Sequence, residues 1–371
     1  MLCGAMSLPI CRPTRREFLS YGSATLAAGT AGTAAMAAGD KPLQFMVIGD
    51  WGRDGAFHQR QVAAAMSEFQ SSQLVVTTGD NFYQHGVSSI RDGKWDTSFN
   101  RIYTNVPQRW YAVLGNHDYG GKVEAQIERS FNDARWRMPD YWFDVRLDAY
   151  GRPDVHLFFI NTVAWRGREK FPYNLLGSSI RKRDPQNQRE WLRDRLARSD
   201  APIKIVFGHH PIYSVRTRGS YYGMADLDGM LFDHGVTAYV NGHDHCMYHI
   251  SAPDWRGKAL GRMHYICSGA GSQMRAVFPG CIPSGRASQT ACIAKGQLGP
   301  RDPFWHAFFT KSDLHGELDL KGGFAVFDLQ QDGLGIRFIE PVADAATGRR
   351  WRARYAVTMP RRDAPTGDSS G

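Results

Sequence analysis

The sequence predicts an α/β protein, a four-layer α/β/β/α sandwich of two mixed sheets flanked by helices. Two patterns carry that prediction. From Leu43 to Val240, short apolar runs rich in β-branched and aromatic residues alternate with segments of helical period. After Asp244 the helical period stops and strand-like runs follow one another. A third observation locates the working end: five of the apolar runs break directly into polar loops that begin with glycine.

Taken in order, Leu43 to Ile48 is a buried strand, and Gln59 to Phe69 a helix with Val62, Met66 and Phe69 on one face. Leu74 to Thr78 is the next strand, Thr97 to Tyr103 a helix-like stretch, Trp110 to Leu114 a strand and Val123 to Phe131 a helix. Tyr141 to Leu147 alternates as a half-buried strand does, and Val155 to Thr162 is a buried strand. Asp184-Pro185 opens a helix, with the acid as N-cap and proline at the first helical position, and Trp191, Leu192 and Leu196 line its face. Ile203 to Phe207 and Thr237 to Val240 are buried strands; Met247–Ile250, Met263–Cys267, Phe324–Leu329 and Leu334–Ile339 complete the set. No solenoid period recurs. Arg166 to Arg183 and Phe278 to Pro300 are long connections of the kind that border sites, the first expected as a flap.

The N-terminus reads as a removable export signal over residues 1–37. Arg15-Arg16 precede Phe18-Leu19, a weakly apolar Gly/Ala stretch runs from Tyr21 to Gly39, and Ala35-Met36-Ala37 offers a small-x-small cleavage site. The paired arginines favour the twin-arginine route to the periplasm or exterior, although Ser20 stands where lysine is common in such signals. The stretch is too rich in Gly, Ala, Ser and Thr for a spanning helix, so no stable membrane insertion is expected. One domain over residues 41–362 follows, then a disordered tail, 363–371. With 42% hydrophobic and 12% aromatic residues among 371, a sizeable core is assured.

Formal charge is +9, or about +7 once Arg12, Arg15, Arg16 and Glu17 are set aside. A basic surface suits anionic small molecules. No basic block interleaved with aromatics singles out nucleic acid, and a monomer is expected. Cys281 and Cys292 bracket a Pro/Gly/Ser-rich loop and are expected to pair in an oxidising compartment; Cys246 and Cys267 are expected as buried thiols.

The five loops are Gly49-Asp50-Trp51-Gly52, Gly79-Asp80-Asn81-Phe82-Tyr83, Gly115-Asn116-His117-Asp118, Gly208-His209-His210-Pro211 and Gly242-His243-Asp244-His245. Ligands of α/β sheets bind beyond the carboxyl ends of strands, where loops converge. A lone Gly-Asp there is usually a turn. Five such segments in one order supply carboxylate, phenol, amide and imidazole donors enough for two metal ions.

This arrangement resembles the purple acid phosphatases, the iron-containing branch of the calcineurin-like metallophosphoesterases. Trp351 to Arg362 is similar to the basic C-terminal strand of the small, mammalian tartrate-resistant type, which extends the resemblance across the mature chain. The resemblance implies a ferric ion at Asp50, Asp80, Tyr83 and His245. A divalent iron, zinc or manganese would sit at Asp80, Asn116, His209 and His243, with Asp80 bridging. It further implies hydrolysis of phosphate monoesters by a metal-activated hydroxide.

A ferric and a divalent ion bring five positive charges, of which Asp50, Asp80 and a phenolate Tyr83 cancel three; the remainder suits a phosphate anion. His117, beside Asn116 but outside the ligand set, is assigned as general acid. Asp118 either orients it or caps a turn. His210, Asn81 and Trp51 are expected to line the substrate pocket. Alternatives on the same metals are a phosphodiesterase, a pyrophosphatase or a redox-active iron protein generating oxygen radicals.

Overall fold

Strands apolar on both faces must be covered on both, and the structure meets this with two sheets face to face and helices outside. The computed structural model describes residues 42–166, 185–214, 224–254, 256, 261–275, 308–309, 322–330, 333–343 and 348–360. The signal, the Cys281–Cys292 pairing, the 278–300 loop, the tail and all of the 166–183 flap but its first residue lie outside them. The described residues fall within one compact unit, Ala37–Gly371.

Along the chain run β1 (Leu43–Ile48), α1 (Gln59–Met66), β2 (Leu74–Thr77), β3 (Arg109–Ala112), α2 (Val123–Arg129) and β4 (Trp136–Arg137). Next come β5 (Phe143–Leu147), β6 (Arg152–Phe159), α3 (Thr162–Trp165), α4 (Pro185–Ala197), β7 (Ile203–Phe207), α5 (Ala225–Asp233) and β8 (Ala238–Asn241). The chain ends in β9 (Met247–Pro253), β10 (Arg262–Ser268), β11 (Phe308–Phe309), β12 (Phe324–Leu329), β13 (Gly333–Pro341) and β14 (Trp351–Pro360).

One sheet has the order β14-β13-β12-β1-β2-β3-β4, the other β11-β9-β10-β8-β7-β6-β5. In the first sheet β1 to β4 run parallel out to one edge with antiparallel strands on the other side, and in the second β6, β7, β8 and β10 form a parallel centre with antiparallel strands on both sides. Successive residues of the second sheet divide between two cores, as period-two geometry requires. Leu157, Phe159, Ile205, Phe207 and Val240 face the first sheet, while Phe158, Val206 and Tyr239 pack with Leu192, Leu196 and Leu231 of the helices. Phe45 of β1 meets Phe207 of β7 edge-on at 6.4 Å, and Phe159 stacks on Phe207 at 5.3 Å.

The helix-like stretch expected at Thr97–Tyr103 is a π-helical turn, Trp95–Asn100, that drives Trp95 and Phe99 into the core. The short elements β4, β11, α3 and the whole of α5 carry no clear period in the sequence. In α5, Gly229 interrupts the helical pattern, and burial of the six consecutive residues Leu227 to Phe232 leaves no polar face along its middle.

Candidate metal centre

Because β1, β2 and β3 are parallel neighbours in one sheet and β7 and β8 in the other, their carboxyl ends share an edge. All seven expected ligands lie in the loops leaving those five strands. The loops approach so closely that a Cβ at Gly115 would stand 2.1 Å from the Asp80 amide nitrogen. At Gly79, where φ is +90°, it would stand 2.8 Å from His209 Nδ1. Only glycine admits that crowding.

Two clusters of donor atoms result. The Tyr83 hydroxyl lies 3.0 Å from Asp50 Oδ1, 2.9 Å from Asp80 Oδ2 and 3.0 Å from His245 Nε2. Asn116 Oδ1 lies 3.1 Å from His209 Nε2 and 3.0 Å from His243 Nδ1, and these two nitrogens are 3.2 Å apart. Asp80 joins the clusters, its Oδ2 standing 3.4 Å from His209 Nε2. Separations near 3 Å are the edges of a coordination polyhedron whose metal–donor distances are roughly 2.1 Å.

The other atoms of each ligand are already held. His209 Nδ1 faces the Thr78 carbonyl at 2.9 Å and His245 Nδ1 the Gln273 carbonyl at 2.9 Å, which leaves each Nε2 as the metal-facing nitrogen. The His243 amide donates to Asp50 Oδ2 at 2.8 Å, and the His117 amide to Asp80 Oδ1 at 2.7 Å. Asp50, Asp80, His243 and His245 take left-handed backbone, with φ of 59°, 49°, 69° and 51°.

Burial dominates the electrostatics of the donors, and their neighbours decide where it is overcome. Burial raises the Asp50 carboxyl above its ordinary range. Burial works against Asp80 as well, but the charge of His209 and its hydrogen bond outweigh it and hold that carboxyl well below the usual range. The Tyr83 phenol is pushed up by burial and by both carboxylates. Burial drives His243 and His245 well down, so they stand as neutral imidazoles, the form that ligates. At His209 burial is overcome by Asp80 and Asp50, which lift it to about 9. Asp50, Asp80 and His209 form one group able to hold an ion, and His209, His210 and His243 another.

A family model for calcineurin-like phosphoesterase matches residues 43–247. Purple acid phosphatase 7 of Arabidopsis thaliana is 35% identical over 245 residues, covering 63% of this chain and 71% of the relative. The chain belongs to the purple acid phosphatases. That family comprises phosphoric monoester hydrolases and implies a binuclear metal centre, with iron–zinc and iron–iron as the typical pairs. Purple acid phosphatase 3 of A. thaliana is 36% identical over 63% of this chain, a match spanning 64% of that protein, just under two thirds. Human tartrate-resistant acid phosphatase type 5 is 29% identical over 340 residues, 87% of this chain and 92% of its own. Among solved structures, GAP50, the anchor in the inner membrane complex of Plasmodium, shares the fold, with TM-score 0.63 and 22% identity over 88% of this chain and 90% of its own.

In this purple acid phosphatase the remaining expected residues divide. His117 lies at the centre, its ring 4.5 Å from that of Tyr83 and its Nδ1 2.7 Å from the Gln84 carbonyl. His210 lies against His243 with ring centroids 4.6 Å apart and planes tilted by 48°, its Nδ1 3.0 Å from the Thr162 hydroxyl, and burial drives its imidazole well down. Trp51 and Asn81 are corrected. Trp51 is fully buried among Phe82, Phe99, Tyr103, Trp110 and Trp136, so it is core rather than pocket wall. Asn81 is equally buried and braces the loop, accepting from the Thr77 hydroxyl and donating to the Val113 carbonyl at 2.8 Å.

Asp118 caps rather than orients. Its carboxylate accepts from the amides of Asn81, Phe82 and Gly115 at 2.9–3.2 Å, so it ties together the loops that carry Asp80 and Asn116. Three contributors were not foreseen. Thr162 Oγ1 accepts from the amides of His209 and His210, Ser272 hydrogen-bonds the Asp50 carbonyl, and Arg53 lies over the Tyr83 ring. Thr162 carries the same signal as the ligands, a polar residue just past a buried strand. Ser272 carries none.

Proposed function

We propose that this chain is an exported acid phosphatase that hydrolyses phosphate monoesters. The observation that supports it most is the pair of donor clusters, around Tyr83 and around Asn116, joined by Asp80. When bound, a ferric ion at Asp50, Asp80, Tyr83 and His245 and a divalent iron, zinc or manganese at Asp80, Asn116, His209 and His243 would lend Lewis acidity to phosphoryl oxygens and acidify the attacking water.

The chain's own residues do the rest. The Gln84 carbonyl engages His117 Nδ1, so Nε2 is the nitrogen that carries the proton delivered to the departing alkoxide. His210, neutral through burial, presents an uncharged wall beside His243 and leaves the phosphate's charge to the centre. The basic balance of the chain favours an anionic substrate at long range.

The test is metal analysis and a visible spectrum of the purified protein, alongside an aryl phosphate assay at acidic and neutral pH. Tyr83→Phe is expected to abolish the visible band. A colourless, iron-free preparation hydrolysing at the wild-type rate defeats the proposal.

Export rests on Arg15-Arg16 and the apolar stretch that follows them. Among the described residues no helix is long and apolar enough to cross a membrane. Replacing both arginines by lysine is expected to keep the activity out of the periplasm; undiminished periplasmic activity excludes this route.

A further inference from the structure

Arg53, three residues after Asp50, places its guanidinium carbon 3.4 Å from the centre of the Tyr83 ring. Both residues are withdrawn from solvent, Arg53 at 9% exposure and Tyr83 at 4%. A second contact fixes the stack: Arg53 Nε donates to the Ser272 hydroxyl at 3.2 Å, and that hydroxyl in turn hydrogen-bonds the Asp50 carbonyl. The backbone is pinned too, the Arg53 amide donating to Gln59 Oε1 at 3.0 Å. A permanent cation is therefore held over the one phenolic ligand of the centre by contacts that return, through Ser272, to the ligand Asp50.

We propose that Arg53 is a positioning residue that tunes Tyr83 as a ligand, holding its electron density on the ring. The inference rests on the metal-centre reading above. A cation over an aromatic face is attracted by the ring's electrons, more strongly where water is excluded. When the ring is part of a phenolate the attraction gains full charge. Promotion of an electron from the phenolate to a ferric ion carries negative charge away from the guanidinium, so that transition costs more energy with Arg53 present. Arg53 thus shortens the wavelength of the band and makes Tyr83 a weaker donor, leaving the ion more acidic toward its other ligands. A structural stack would fill the same space without this electronic consequence.

The experiment compares wild type, Arg53→Lys, Arg53→Gln and Arg53→Met, each with iron content measured and the visible maximum recorded. Expected is a shift to longer wavelength in both neutral variants at unchanged iron content, with the lysine variant restored most of the way toward wild type. Resonance Raman within the band is expected to show tyrosinate modes in all four proteins. Two neutral side chains of different shape guard against one of them failing to fold. If wild type shows the tyrosinate band and neither neutral variant moves it, or if lysine shifts it as far as methionine does, the inference is overturned while the metal-centre reading stands. A wild type without the band overturns both.

Discussion

Four of the seven expected ligands sit in left-handed backbone, a conformation that costs a non-glycine residue roughly 1–3 kcal/mol. Strain repeated at Asp50, Asp80, His243 and His245 marks a geometry imposed by what these side chains must face. The side chains themselves were legible because each lies in a short segment opened by a strand-ending glycine. What the sequence left open was the work of their neighbours. Asp118 read equally as an orienter of His117 or a cap, and only the three amides converging on its carboxylate decide for the cap. Trp51 stood in a ligand loop yet turns inward, since position within a loop does not reveal which way a side chain points. For His117 the prediction is kinetic. His117→Ala is expected to lower kcat roughly 100-fold or more with little change in KM. The loss should be larger for alkyl phosphates than for nitrophenyl phosphate, whose leaving group needs no proton; equal losses remove the general-acid role.

Among elements, α5 shows why a buried helix escapes a search for period. Its Asp228 is 2% exposed and accepts hydrogen bonds from Tyr265 of β10 and, at 2.9 Å, from Tyr213, so a carboxyl stitches the helix to its sheet. Burial raises that carboxyl from 3.8 to about 6. Between those values the folded chain keeps a proton that the unfolded chain has shed. Stability from this group is therefore fully present below about pH 4 and is lost as pH rises through about 6. Asp228→Asn is expected to flatten the decline of Tm over this range in a melting series. A variant retaining the full slope would place its origin elsewhere. Strands such as β7 and β12, by contrast, were legible to their ends, because each is a largely apolar run bounded by proline, glycine or polar residues.

At the scale of the molecule, Asp50, Asp80, Tyr83 and Asn116 come from one sheet and His209, His243 and His245 from the other. Bound ions would therefore rivet two layers already joined by apolar packing such as Phe45 against Phe207 and by hydrogen bonds such as Ser268 Oγ to the Val47 carbonyl at 2.7 Å. Removing the metals with a chelator is expected to lower Tm by roughly 10 °C and to speed amide exchange at the carboxyl ends of β1 and β8 alike. Loss of protection confined to one sheet would contradict the rivet. Sheet order was not legible, since strands adjacent in space such as β1 and β12 lie far apart in sequence.

The donors are strung between Asp50 and His245, and the last two follow β8. A nascent chain halted before that strand lacks one imidazole for each ion. Neither set of donors is complete until the segment after β8 has been made and docked, so full coordination of the metals would be a closing event in biogenesis.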